Sequence, residues 1–175
     1  MALRSLLHAE RIAILVEPGN RAAVLDAAAR LLAEPGTGAD TGVPDDSSGY
    51  TSRPTNPTLT RTIGDGLRER ERLASTAIGH GVAIPHARIA DIDESRCAFL
   101  RLAQPVDFNA ADGEPVDLVL ALAIPAHHVQ QHLELLAELA HMLANPAYRD
   151  DLRAAPTIDL LRRRLLDGVG PLPSS

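Results

Sequence analysis

The feature that most constrains this chain is the apolar run at residues 116–124, VDLVLALAI, which is followed directly by Pro125. Eight of its nine residues are apolar, so the run lacks the alternation of polar and apolar side chains that marks a strand with one wet face. A continuous apolar run of this length predicts a β-strand that is buried on both faces at the centre of a sheet. The rest of the chain must therefore supply elements that cover this strand on both sides.

Strand and helix patterns alternate along the rest of the chain. Short apolar or alternating runs predict strands, whereas apolar positions three and four apart predict helices. Asn20 is expected to cap the first helix and Thr157 the last, because their side-chain oxygens accept hydrogen bonds from free N–H groups. The predicted strands are 10–17, 81–84, 97–102 and 116–124, and the predicted helices are 21–34, 58–73, 128–144 and the segment after 157. This alternation predicts an α/β fold with helices on both faces of the sheet.

A single domain is predicted, because the chain has 175 residues, the size of one ordinary domain. Residues 35–57 consist almost entirely of Gly, Pro, Ser, Thr, Asp and Asn, which bury too little surface to offset the entropy lost on ordering. We therefore predict a disordered insertion at 35–57 within one domain that covers 1–170, followed by a tail at 171–175. A linker between two domains is the weaker alternative, since the 34 residues before this segment contain one strand and one helix.

Composition excludes several classes of protein. Aromatic residues make up 2% of the chain and the formal net charge is −6, which argues against a nucleic-acid partner. No apolar run is long enough to cross a bilayer, so the chain is not expected to be embedded in a membrane. All 17 basic residues are arginine, so Schiff-base and P-loop lysine chemistry are excluded. The single cysteine, Cys97, cannot form an internal disulfide, and a cytoplasmic location fits best.

The candidate for chemistry is a histidine, since the sequence contains no GxGxxG, Walker, CxxC or GxSxG motif. His86 directly follows the apolar strand at 81–84 and Pro85, which places it at the carboxyl end of that strand. Ligands and reactive groups of α/β proteins collect at this edge of the sheet. A neutral imidazole there is a nucleophile that can accept a phosphoryl group, whereas the alternative is a solvated loop histidine.

Three further histidines, His127, His128 and His132, lie at the start of the long helix. His128 and His132 are four residues apart and share a helix face, so a zinc-dependent hydrolase site formed with His86 is one alternative. No acidic ligand lies between them, and polar first-turn residues that face water are the simpler explanation. No metal or cofactor is therefore predicted. The charged run RERER at 68–72 is expected to be a solvated helix face, although one of its arginines would suit a phosphoryl group.

Residues 67–88, LRERERLASTAIGHGVAIPHAR, and residues 131–143, QHLELLAELAHML, together form a long composite pattern. It resembles the signature of the fructose/mannitol-type (type 2) enzyme IIA domain of the bacterial phosphoenolpyruvate-dependent sugar phosphotransferase system. The resemblance extends over most of the chain and implies an α/β sandwich, a mixed sheet with helices on both faces. The insertion at 35–57 departs from the family, whose members usually have a much shorter connection there.

The resemblance also implies a role for three residues: His86 as the phosphorylated nucleophile, Arg70 as an arginine of the site, and His132 as its second histidine. Phosphoryl groups would come from an HPr-like phosphocarrier protein and leave to a cysteine of a IIB domain, or remain as a regulatory mark. The alternative is a purely regulatory binding protein of the nitrogen branch, without onward sugar transport. Because the sequence shows no IIB or membrane IIC segment after Ser175, we expect a domain that resembles the stand-alone nitrogen-regulatory IIA proteins, although a separate IIA subunit of a fructose permease has the same one-domain form.

Overall fold

The computed structural model describes residues 6–34 and 56–167, and within these ranges strands and helices alternate as the sequence predicts. Within these described ranges, six strands form one sheet and five helices pack on it. In chain order the elements are β1 (Leu7–Leu15), α1 (Arg21–Ala33), α2 (Pro57–Leu73), β2 (Ala77–Gly79), β3 (Val82–Ala83), β4 (His86–Ile89), β5 (Arg96–Val106), β6 (Val116–Pro125), α3 (Val129–Leu143), α4 (Pro146–Ala154) and α5 (Ile158–Asp167). No helix in these ranges combines the length and the apolar character that crossing a bilayer requires.

The sheet is mixed, as the resemblance implies. Its strands lie in the order β1-β5-β6-β3-β2, and β4 pairs with β6 beyond the end of β3. The pairs β1–β5, β3–β6 and β4–β6 are parallel, whereas β5–β6 and β2–β3 are antiparallel. β6 lies in the middle, and every residue in it except Asp117 is buried. The prediction of a central strand from the apolar run is therefore confirmed.

The side chains of β6 alternate between two hydrophobic layers. Val119 and Ala121 pack with residues of α1 and α2 on one face of the sheet. Leu118 and Leu120 pack with residues of α3, α4 and α5 on the other face. Helices therefore cover both faces, and the predicted α/β class is confirmed.

The first and last helices begin at the residues that the sequence predicts as caps. The Asn20 side chain accepts a hydrogen bond from the Ala23 N–H at 2.9 Å, and the Thr157 hydroxyl accepts one from the Leu160 N–H at 3.3 Å. These bonds satisfy backbone donors that have no partner within the helix.

The predicted insertion at 35–57 extends two residues too far at its C-terminal end, because the structure assigns residues 56 and 57 to the start of α2. Asn56 caps α2, and Pro57 is the first residue of that helix. Proline is well tolerated there, because the N–H groups of the first turn have no partner within a helix. Residues 35–55 and the predicted tail at 171–175 lie outside the described residues.

The sequence does not predict β2 or α4. β2 has three residues, which are too few to establish a periodicity. In α4 the only described residues that are buried are Arg149 and Leu152. The helix therefore has no apolar stripe from which the sequence could predict it. β2 is held by its pairing with β3, whereas α4 begins with a local signal, because the Asn145 side chain caps it and Pro146 lies in its first turn.

The sequence predicts one strand at 81–84 that ends before Pro85, and the structure differs from this prediction between β3 and β4. β3 is interrupted after two residues, and the Ile84 N–H donates to the Thr76 carbonyl at 3.0 Å instead of to β6. Pro85 has no N–H, yet its carbonyl accepts a hydrogen bond from the Leu122 N–H at 2.9 Å, which keeps the chain beside β6. His86 therefore opens a second strand segment, β4, and does not lie in a loop beyond the first.

Candidate functional site

β4 lies at an edge of the sheet, where residues from both helical layers can reach it. β6 is the only described strand that pairs with β4. Ala87 and Ile89 of β4 are buried in the layer that contains α1 and α2. Because side chains alternate along a strand, His86 and Arg88 project to the opposite face, where both lie against His132 of α3. The open edge also lets α2 reach His86 from the other layer.

The imidazole of His86 is held in one orientation by two contacts. Its Nδ1 lies 2.8 Å from the carbonyl oxygen of Ile84, which can only accept, so Nδ1 carries the proton and donates it. Nε2 is then unprotonated, and it accepts from the Nε–H of Arg70 at 3.3 Å. Burial lowers the pKa of His86, and although the Ile84 bond opposes this shift, the Arg70 guanidinium adds to it. The result is a neutral imidazole with its electron pair on Nε2.

Arg70 is the arginine of the RERER run that reaches this site. Its Nη1 donates to the Ala74 carbonyl at 2.8 Å, just beyond the end of α2, while its Nε faces His86. Arg68 and Arg72 instead form ion pairs with carboxylates on the helix surface. The structure therefore brings together His86 and the arginine that the resemblance indicates, although they are 16 residues apart.

Glu71 is a residue of the site region that sequence reasoning misses. Its buried carboxylate accepts hydrogen bonds from both the N–H and the hydroxyl of Thr76. The Thr76 carbonyl accepts from the Ile84 N–H, and the Ile84 carbonyl accepts from His86 Nδ1. Glu71 thus anchors the path of backbone bonds that orients the His86 ring. The position of Glu71 could have indicated this role. A carboxylate in the last turn of a helix is unfavourable next to the negative end of the helix dipole, so it needs a specific partner.

His132 lies on α3 beside His86 and is 5% exposed. The two ring centroids are 5.2 Å apart, and the rings meet edge to face with an interplanar angle of 71°. Nδ1 of His132 accepts a hydrogen bond from the Nε–H of Arg88 at 3.4 Å, whereas its buried Nε2 has no partner among the described residues. Burial, followed by the neighbouring His86 and the guanidinium groups of Arg88 and Arg70, lowers the pKa of His132 to about 4. Both histidines are therefore neutral at pH 7.

The other two histidines of this region are placed differently. The rings of His127 and His128 contact each other, with centroids 4.2 Å apart, at the start of α3. Within residues 6–34 and 56–167, no three His, Cys, Asp or Glu side chains are grouped as metal ligands. The zinc alternative, which needs His86, His128 and His132 in one ligand set, therefore has no geometric support. The arrangement that does form is a neutral nucleophile beside an arginine and a second imidazole, and it suits an incoming anionic group.

Solved structures of IIA proteins share this fold. The nitrogen regulatory protein IIA-Ntr from Neisseria meningitidis covers 94% of this chain and 97% of its own, with a TM-score of 0.73 and 27% sequence identity. Enzyme IIAMTL of Escherichia coli, solved in complex with phosphorylated enzyme IIBMTL, covers 93% of this chain and 99% of its own. Its TM-score is 0.64 and its identity is 16%, which shows a shared fold alone. The α/β sandwich described above is therefore a IIA-type fold.

Residues 5–167 match the family model described as "Phosphoenolpyruvate-dependent sugar phosphotransferase system, EIIA 2". The chain therefore belongs to the type 2 EIIA family, which confirms the resemblance carried by its two sequence motifs. A nitrogen regulatory protein of Pseudomonas aeruginosa is 45% identical over 107 residues, which make up 61% of this chain and 70% of that protein. The family and this relative support a role as a phosphoryl carrier or regulator of the phosphotransferase type.

Proposed function

We propose that this chain accepts a phosphoryl group on Nε2 of His86 from an HPr-like phosphocarrier protein, and then passes it on or holds it as a regulatory state. The observation that carries the proposal is the orientation of the His86 ring. Its Nδ1 is bound to the Ile84 carbonyl at 2.8 Å, and its bare Nε2 faces Arg70 at 3.3 Å. A neutral nucleophile beside a fixed positive charge suits attack on the phosphorus of an anionic group.

In the proposed step, Nε2 of His86 attacks the phosphorus of a phosphohistidine on the carrier, in line with the bond that breaks. The Nε2 electron pair forms the new N–P bond, and the electrons of the old N–P bond return to the imidazole of the carrier. No proton has to leave His86, because Nε2 is already unprotonated. Positive charge that develops on the ring is stabilised by the hydrogen bond from Nδ1 to Ile84.

Arg70 and His132 are the residues proposed to hold the transferred group. The Nε–H of Arg70 now binds Nε2 of His86, and it would donate to the oxygens of a phosphoryl group attached there. The His132 ring lies 5.2 Å from the His86 ring, and its buried Nε2 has no partner among the described residues. A phosphoryl oxygen would supply the acceptor that this nitrogen lacks. No metal or nucleotide takes part in the scheme.

Two fates of the phosphoryl group are open to this site. Transfer to a cysteine of a IIB domain is supported by the shared fold of enzyme IIAMTL, which was solved with phosphorylated IIBMTL. A purely regulatory state, read by a binding partner, is supported by the similarity to a nitrogen regulatory protein. Either fate requires a partner that docks and leaves in every cycle, which fits a small transient interface. We place this exchange in the cytoplasm.

Phosphorylation with phosphoenolpyruvate, enzyme I and an HPr-like carrier, followed by intact-mass analysis, tests the proposal. Wild-type protein is expected to gain one phosphoryl group, and His86→Ala is expected to fold and to gain none. His141→Ala is the matched control, because that histidine is exposed on α3 and should not affect the reaction. Phosphorylation of His86→Ala to the wild-type level would contradict the assignment.

Arg70→Gln tests the role of the guanidinium group. Loss of a positioned donor to developing charge is expected to slow phosphorylation by about 10²- to 10³-fold. Arg72→Gln is the control, since Arg72 is exposed and pairs with Glu69 on the same helix. Equal rates in the two variants would remove Arg70 from the site. Mixing the phosphorylated chain with a IIB domain then separates the two fates, because transfer to its cysteine supports the carrier function and no transfer supports the regulatory one.

A further inference from the structure

We propose that Arg88 is a positioning residue of this site: it holds the His132 ring in the tautomer whose Nε2 carries the proton, so that this N–H is available to the transferred group. The proposal rests on the proposed phosphorylation of His86. The phosphoryl-transfer scheme at His86 and Arg70 gives Arg88 no role of its own.

Backbone geometry brings Arg88 to His132. Arg88 lies two residues after His86 on β4, so both side chains project on the face of the sheet that α3 covers. The Arg88 side chain is exposed, and its Nε lies 3.4 Å from Nδ1 of His132. The two residues are 44 positions apart in the sequence, so no local pattern reveals their contact.

The contact with the guanidinium group selects the tautomer of His132. Arginine has only hydrogen-bond donors and stays protonated, so the nitrogen of His132 that faces it must accept. A neutral imidazole has one N–H, which then belongs to Nε2. Burial is the main cause that lowers the pKa of His132. His86 and Arg88 of β4 and Arg70 of α2 lower it further, to about 4, so the ring is neutral at pH 7.

The Nε2–H group of His132 is a buried donor without a partner among the described residues. An unpaired buried donor is unfavourable, and in native structures it calls for a specific explanation. The neighbouring His86 ring does not supply an acceptor, because its Nε2 already faces Arg70. Acceptor oxygens on a phosphorylated His86 would complete the bonding of His132, and Arg88 ensures that His132 presents a donor to them.

Long-range ¹H–¹⁵N NMR of the unphosphorylated protein reads the tautomer directly, because protonated and bare ring nitrogens resonate at different shifts. Wild-type His132 is expected to be protonated on Nε2. Arg88→Leu is expected to populate the Nδ1–H form and to raise the pKa of His132, whereas Arg88→Lys keeps a donor-only cation and should restore much of the wild-type spectrum. Arg72→Leu is the control. A wild-type ring protonated on Nδ1, or an unchanged spectrum in Arg88→Leu, would overturn the proposal.

Phosphorylation kinetics test whether Arg88 acts through His132. Arg88→Leu is expected to slow phosphorylation of His86 about tenfold, because one positioned donor is partly lost. In a His132→Gln background the same substitution is expected to have no further effect. Additive effects would show that Arg88 contacts the partner or the phosphoryl group itself, and would overturn the positioning role. If wild-type protein accepts no phosphoryl group, the proposed function at His86 fails, whereas the NMR spectrum still decides the tautomer assignment.

Discussion

The buried ring of His132 is expected to make the fold sensitive to acid, and replacement of this residue by glutamine is expected to remove its contribution to that sensitivity. The side chain is 5% exposed, and its pKa is lowered from 6.5 to about 4. In the unfolded chain the ring returns to its ordinary pKa. Between these two values the unfolded state binds a proton that the folded state does not, so the free energy of unfolding falls as the pH is lowered through this window.

The size of the effect follows from the two pKa values. At pH 7 the ring is mostly neutral in both states, so protonation changes the free energy of unfolding little. At pH 5 the unfolded ring is protonated and the folded ring, with a pKa of about 4, is still mostly neutral. The resulting loss between pH 7 and pH 5 is about 2 kcal/mol. A typical domain has a total stability of about 5–15 kcal/mol, so a loss of this size is readily measured.

Urea unfolding at pH 7, 6 and 5 measures the difference, provided that the m-value stays constant. Between pH 7 and pH 5, wild-type protein is expected to lose about 2 kcal/mol more than His132→Gln. His86, whose pKa is also lowered by burial, is present in both proteins, so its contribution largely cancels. His141→Gln is the matched control, because it removes an exposed histidine from the same helix. Equal pH dependence in wild-type protein and His132→Gln would refute the reasoning.

Two substitutions test the helix end and the turn that precede His86. Glu71→Gln is expected to lower the free energy of unfolding by about 2 kcal/mol, because one of the two Thr76 donors loses its acceptor. Urea unfolding beside the exposed control Glu69→Gln measures this loss, and equal stability of the two would contradict it. His80→Gly is expected to raise stability by about 1 kcal/mol, since His80 has a φ of 56°, where a side chain is strained. A lower Tm in His80→Gly would show that the ring makes a compensating contact.

The sequence predicts the parts of the fold that depend on local pattern. An apolar run of nine residues identifies β6, and side chains such as Asn20 identify helix starts, because each signal lies within a few residues. β4 is not predicted, since a proline normally ends a strand. In the folded chain the Pro85 carbonyl still accepts from Leu122 of β6, and the Ile84 N–H finds the Thr76 carbonyl. Both contacts join distant segments, so they become apparent only in the structure.

The residues of the site also differ in whether the neighbouring sequence identifies them. His86 stands out from its position after an apolar strand, whereas Arg70 and His132 follow only from the family resemblance, because their contacts with His86 are made across the sheet edge. Glu71 and Arg88 are missed altogether. Each acts through an intermediate residue, Glu71 through backbone bonds and Arg88 through His132, and such indirect roles leave no spacing pattern in the sequence.

The charges around His86 explain how its proposed phosphorylation could be read by another protein. Both imidazoles of the unphosphorylated site are neutral. The charged groups around them are Arg70, which contacts His86, Arg88, which contacts His132, and the buried Glu71, which binds Thr76. The phosphoryl group bound to Nε2 carries about two negative charges at neutral pH, but His86 keeps its Nδ1 proton, so its ring becomes positively charged and offsets one of them. Phosphorylation would therefore change the local charge by about −1 and cancel the local excess of positive charge. Because Arg88 is exposed at the edge of the sheet, a docking partner would meet a positive field before phosphorylation and a nearly neutral one after it. The same chemistry at His86 therefore suits both onward transfer and regulation.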